Sequence, residues 1–233
     1  MSHAQQAHWI SCRGRGVGGL RHASIASAAN SPLLVENGTA LATGTTIEGV
    51  NVGVSKMTTS LGTIECTTGK LSVLQLVANT TGDMELVLFS VKYGGTGPLS
   101  AGAEEPACTT KALLGGETTV TMNTATNGLP WCLRSVSTMA TDEFQIRGNS
   151  CSSASRPIRF ALDVEGIGTC QYERSTAIPG TYTTSTTSST LSISAVSFSA
   201  VSGNPFGCPS SLQLDSTFQL RTTGGGTTLG ITS

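Results

Sequence analysis

Apolar residues in this chain recur with a period of two. Ile158, Phe160, Leu162 and Val164 alternate with Arg159, Ala161, Asp163 and Glu165, the pattern of a strand with one face in a core and one in water. Leu212, Leu214, Phe218 and Leu220 repeat it against Gln213, Asp215, Thr217, Gln219 and Arg221. Residues 61–66 set Ile64 and Cys66 on one side, and residues 118–124 do the same for Val120 and Met122. Residues 46–54 align Val50, Val52 and Val54, with Ile47 out of phase.

Other segments add detail. Residues 71–78 and 84–93, separated by 79–83, predict a hairpin with a five-residue loop. The run Leu86, Val87, Leu88, Phe89 predicts a central strand covered on both faces. Residues 131–136 and 144–151 read as extended segments around a turn near 140–143, after an Asn127-Gly128 turn, and 169–174 follow Gly166 and Gly168. Residues 180–190 are strand edge or loop, and 191–201 alternate with a slip near Ala195, the mark of a β-bulge. The longest irregular stretch is 94–116, with room for one short helical turn over 109–114.

Ten to twelve short strands without a substantial helix predict an all-β fold. An apolar sheet face must then be covered by another sheet or by closure, so the architecture is an antiparallel β-sandwich or a closed β-barrel. Residues 43–222 read as a single domain, with a division near 94–116 as the alternative. Residues 1–42 are expected to be a flexible leader and 223–233 a flexible Gly/Thr tail. The leader holds arginines but no uninterrupted apolar run of a signal peptide. This leaves a misplaced start, a cytosolic protein, or an unconventional route of export.

Composition narrows the chemistry. Only 12% of residues are charged and 5% aromatic, so the core must rely on aliphatic side chains and threonine. Histidine occurs only at His3, His8 and His22, which leaves the body without the usual general base or commonest metal ligand. No metal or other cofactor is expected. Ten basic residues face fourteen acidic ones from residue 31 onward, without a cluster, which argues against nucleic acid as a partner. No apolar run is long enough for a membrane-spanning helix.

Seven cysteines are present, Cys12 in the leader and Cys66, Cys108, Cys132, Cys151, Cys170 and Cys208 in the body. Their even number and wide spacing in the body, without CxxC or a nearby histidine, fit three structural disulfides in an exported protein. The alternative is six reduced cysteines acting as small hydrophobes. Extended segments on either side of the 140–143 turn motivate Cys132 with Cys151. Chain order adds Cys66 with Cys108 and Cys170 with Cys208.

Trp131 has two readings. It is core filler against the Cys132 bridge, or, with Tyr93, Tyr172 and Tyr182, part of a solvent-facing platform for sugar stacking. Arg134, Arg147, Arg159 and Arg174 sit in or beside strands and are expected to pair with Glu143, Asp163, Glu165 or Glu173. Asp163 and Glu165 share a strand face at about 7 Å, a spacing also used in glycoside hydrolysis. Asp142, Glu143, Glu104 and Glu105 could serve calcium, though no DxDxDG pattern is present. Asn37, Asn79 and Asn149 begin sequon-like triplets.

The segments GTTIEGVNVGV, TTSLGTIEC, LPWCLRS, DEFQIRGNSC, GTCQYER, GTYTT and CPSSLQLDSTFQL run between Gly44 and Leu220. On these the body resembles a loose group of exported proteins of high-GC soil actinobacteria with no assigned activity. The resemblance implies a signal peptide and contributes no catalytic residue. The expected function is that of a secreted or cell-surface, non-enzymatic β scaffold with a structural or adhesive role. The alternative is a carbohydrate- or small-molecule-binding module using Trp131 and the tyrosines. A cell-envelope or glycan component is the partner either would take.

Overall fold

The computed structural model describes residues 31–94, 108–111, 119–123 and 129–233. These form seventeen strands and no helix. The first are short: β1 (Leu33–Glu36), β2 (Thr39–Ala40), β3 (Thr46–Asn51), β4 (Ser55–Thr59) and β5 (Gly62–Cys66). Two long ones follow, β6 (Thr68–Thr80) and β7 (Asp83–Gly94). Next come β8 (Cys108–Lys111), β9 (Thr119–Asn123), β10 (Trp131–Val136) and β11 (Glu143–Gly148). The last are β12 (Ile158–Val164), β13 (Gly168–Arg174), β14 (Ile178–Tyr182), β15 (Thr190–Ala200), β16 (Ser211–Thr222) and β17 (Gly230–Thr232).

Eight strands close an antiparallel barrel in the order β10–β11–β14–β15–β16–β3–β6–β7, with β7 returning to β10. Closure leaves no open sheet edge in this ring. The architecture is therefore the barrel of the two expected. The β15/β16 hairpin is longer than the ring requires. Near its open end, β15 pairs with β14 through Leu191 and Ser192, and β16 pairs with β3 through residues 218–222. Near its loop, β15 pairs instead with β13 through Ser199 and Ala200, and β16 pairs with β4 through residues 212–215. The strands β13–β12–β9–β8–β5–β4 link those two contacts, so the sheet forks on each side of the hairpin.

One apolar core fills both arms of the fork. It runs from Ile47, Leu74 and Leu88 through Phe198 and Leu214 to Phe160, Ile64 and Met57. A void of about 30 Å³ among Trp131, Phe160, Phe198 and Phe218 is the size of one water, so side chains fill this interior. Three disulfides tie the wall: Cys66–Cys108, Cys132–Cys151 and Cys170–Cys208, the pairing expected from chain order and the 140–143 turn. Cys132 sits opposite Arg147 in the ladder, and Cys151 returns to it from beyond the end of β11.

The two-residue period reads correctly in β12 and β16, whose apolar rows are buried. Ala195 adopts a φ of 54° at a register shift between Ile193 and Val196, the expected bulge. Other expectations need correction. The β6/β7 loop is only Thr81 and Gly82, because Thr80 pairs directly with Asp83. Val52 and Val54 are 48% and 43% exposed while Ile47 is buried, since β3 ends at Asn51 and a bulge at Glu48 resets its phase. Residues 108–111 are strand, not helical turn, because β5 and β9 pair on either side. Strand β7 is central, between β6 and β10, but Phe89 is 45% exposed. The Asn127-Gly128 turn and Glu104–Glu105 lie outside the described residues.

The boundaries at 42 and 223 also move. Strands β1, β2 and β17 form a separate three-stranded sheet that pairs the two ends of the chain. Leu34, Leu229 and Ile231 are fully buried. Ser189 Oγ accepts a hydrogen bond from the Ile231 amide, and the Ser189 amide donates to the Leu229 carbonyl. On the other side the Asn79 carboxamide accepts from the Leu34 amide and donates to the Leu34 and Leu41 carbonyls. Each segment alone is too short to show a period; β17 gains its ladder from β1, and β1 lies between β17 and β2.

Candidate functional site

The four aromatic residues considered for a stacking platform are buried. Tyr93, Trp131, Tyr172 and Tyr182 are each at most 5% exposed. The alternation of their strands turns them inward: Tyr172 packs 5.8 Å from Phe160 and Tyr93 packs 5.9 Å from Phe218, centroid to centroid. Trp131 is core filler, and these rings offer no surface for sugar stacking. The Tyr93 hydroxyl donates to Ser216 Oγ. Burial pushes the Tyr93 and Tyr172 phenols up to about 12. The period of β13 already placed Tyr172 with Cys170, the signal that could have excluded it.

The charged candidates separate as well. Asp163 on β12 accepts from the Thr169 hydroxyl across the ladder. Glu165 lies beyond the end of that strand in an exposed turn, so the two carboxyls do not share a strand face. Arg159 pairs with Glu173 at 2.7 Å as expected. Arg134 faces Glu85 at 3.8 Å instead of the acids expected, because Glu85 is its cross-strand neighbour. Arg147 donates to Gln145. Glu85 lies within 4.8 Å of Cys132 and Cys151, whose sulfurs are bonded to each other and so hold no metal. Burial raises the Glu85 pKa, and Asp83 adds to the rise against Arg134 and Arg147.

A buried ion cluster lay hidden in the sequence. Glu48, 2% exposed, takes Lys70 Nζ at 2.6 Å and Arg221 Nε at 2.7 Å, and accepts from the Gly225 amide. Burial pushes its pKa up, but the two cations outweigh that and hold the carboxyl below its ordinary range. The cluster joins three strands and the turn after β16. It reads as a structural staple.

Among the described residues, a groove of about 450 Å³ opens on the outside of β11, β14 and β15. That volume falls within the usual span of small-molecule sites. The outward positions of the three strands supply it: Glu143 lies opposite Thr181, Thr181 opposite Ser192, and Gln145 opposite Pro179. Inside the wall, Phe144 faces Gly180 and covers its backbone. An added Cβ at Gly180 would overlap that ring and crowd the Ser192 carbonyl at 2.7 Å. A side chain of this size can lie there only because residue 180 has none.

Arg174 marks the place where the sheet forks. Strand β13 ends at Arg174 and β14 begins at Ile178, leaving part of β15 without a neighbour on that side. The guanidinium enters the gap, its Nη1 donating to the Ser197 carbonyl at 2.9 Å and its Nε to the Ala177 carbonyl at 3.2 Å. Among the described residues it has no carboxylate partner, whereas Arg134, Arg159 and Arg221 each have one. Four chain segments build this groove, and no local motif announces it.

A smaller cleft of about 250 Å³ lies between Val77, Glu85 and Val87 on one side and residues 150–152 on the other. Two of the three sequon asparagines are committed to the fold: Asn79 as above, and Asn149, which donates to the Ala154 carbonyl. Comparison with protein-family models, curated proteins and solved structures gives no match to this chain.

Proposed function

We propose that this chain is an exported, non-enzymatic β scaffold that works at or beyond the cell surface in a structural or adhesive role. The observation that carries the reading is the set of three disulfides, which close loops of 42, 19 and 38 residues around a wholly β core. Each is worth about 2–4 kcal/mol against the unfolded chain, and such bonds persist in oxidising compartments. A barrel filled by its own side chains suits contact through its exterior.

Mass spectrometry of protein from its natural source, alkylated before and after reduction, tests this. All six body cysteines should resist the first alkylation and accept the second, in material recovered outside the cytoplasm. Free thiols in cytoplasmic material would overturn the reading. The outer groove favours a second reading, a small-molecule- or glycan-binding module, with Arg174 and the hydroxyls in place of the buried aromatics.

A further inference from the structure

The geometry points to the outer groove as a site for a short acidic saccharide, its carboxylate held by Arg174. This rests on the binding-module reading above and names its ligand class. The groove has a polarity. Glu143 lies in the row of Ser192, while Arg174 reaches the Ser197 carbonyl, five residues further along β15 and beyond the bulge at Ala195. A ligand with one anionic end is therefore drawn to the Arg174 end and repelled from the Glu143 end.

Arg174 is prepared for an anion. Two carbonyls fix its plane, and among the described residues no carboxylate neutralises it and no acceptor takes its remaining N–H groups. Besides the two charged residues the lining includes Thr176, Thr181, Ser192 and Ser194, with the apolar faces of Ala177 and Pro179. Hydroxyls that both donate and accept, beside small flat apolar faces, match a pyranose ring with its hydroxyl edge and C–H face. A single cation suits a monoanionic carboxylate better than a phosphate. An extended peptide has little edge to add to: the ladders β11–β14 and β14–β15 use the backbone groups at one end of the groove, and in the stretch of β15 without a neighbour the Ser197 carbonyl is already taken by Arg174.

The test is a titration, followed by calorimetry or backbone chemical shifts, with a glucuronate-terminated disaccharide. Its neutral glucose counterpart and a short glutamate peptide serve as controls. The acidic disaccharide should bind with a dissociation constant of about a millimolar or tighter, at least about tenfold better than the neutral one. Added salt should weaken it, since the ion pair is exposed to solvent. Thr181→Trp, on an exposed outer position, should abolish binding by filling the groove while the melting transition stays in place. Arg174→Lys should lose about tenfold, and Glu143→Gln should bind at least as well as the unaltered chain. Equal binding of the neutral sugar, preference for the peptide, no binding of the acid, or binding that survives Thr181→Trp would overturn the assignment. Protected cysteines together with no saccharide binding would remove this inference and leave the scaffold reading standing.

Discussion

The Tyr93 hydroxyl meets Ser216 Oγ at 3.3 Å, inside the wall at the second fork of the sheet. There β16 passes from β3 to β4, and Ser216 lies between the two pairings. Ser216 bonds to Ser55 Oγ at 2.6 Å, and Ser55 donates to Asn51 Oδ1. The chain of hydroxyls fills a gap where two strands part, as Arg174 does on the opposite strand of the hairpin. Tyr93→Phe should cost about 1–2 kcal/mol by leaving the buried serine without its donor. A double-mutant cycle with Ser216→Ala, read from urea melts, should show coupling of about 1 kcal/mol. Additive losses would mean that the two groups do not interact.

Alkaline stability should fall for a related reason. Tyr93 and Tyr172 ionise near 12 in the folded chain, against an ordinary value of 10.0. The unfolded chain therefore loses protons first, and stability declines once pH rises above the ordinary value and on through 12. Phenolate absorbance during an alkaline titration should show these two rings ionising together with unfolding. Replacing both with Phe should flatten that part of the stability profile.

Acid stability should depend on Glu48. Its folded pKa lies below the ordinary 4.5, so its contribution is complete above that value and is lost as pH falls through the depressed one. Glu48→Gln should cost about 2 kcal/mol near neutrality, because Lys70 and Arg221 are left without their counter-charge. Thermal melts across the acid range should show a smaller pH slope in the variant.

The chain ends should matter to stability. Ile231→Ala removes a fully buried side chain from the small sheet formed with β1, and should cost about 2–5 kcal/mol. Removing residues 229–233 should cost at least as much and should speed amide exchange at Val35, opposite Gly230, more than at Leu34, whose amide is held by Asn79. No change in a urea melt would mean that this sheet does not share the fold's cooperativity.

Gly180→Ala should destabilise by about 1–3 kcal/mol, because the new methyl overlaps the Phe144 ring. Pairing it with Phe144→Leu should recover part of that loss. The paired variant separates crowding from any loss of backbone freedom at this position.

Sequence alone determined the local quantities: the strand period of β12 and β16 and the bulge at Ala195, while chain order only suggested the cysteine pairing that the structure holds. Each follows from spacing within one segment or from the order of a few residues along the chain. The tertiary structure alone decided closure, the forks on either side of the β15/β16 hairpin, the burial of Glu48, and the pairing of Leu33–Glu36 with Gly230–Thr232. It also decided that Tyr93, Trp131 and Tyr182 face inward and that a groove opens beside Arg174. These depend on contacts between residues far apart in the chain, and a two-residue period says which side chains share a face, not which face becomes the inside.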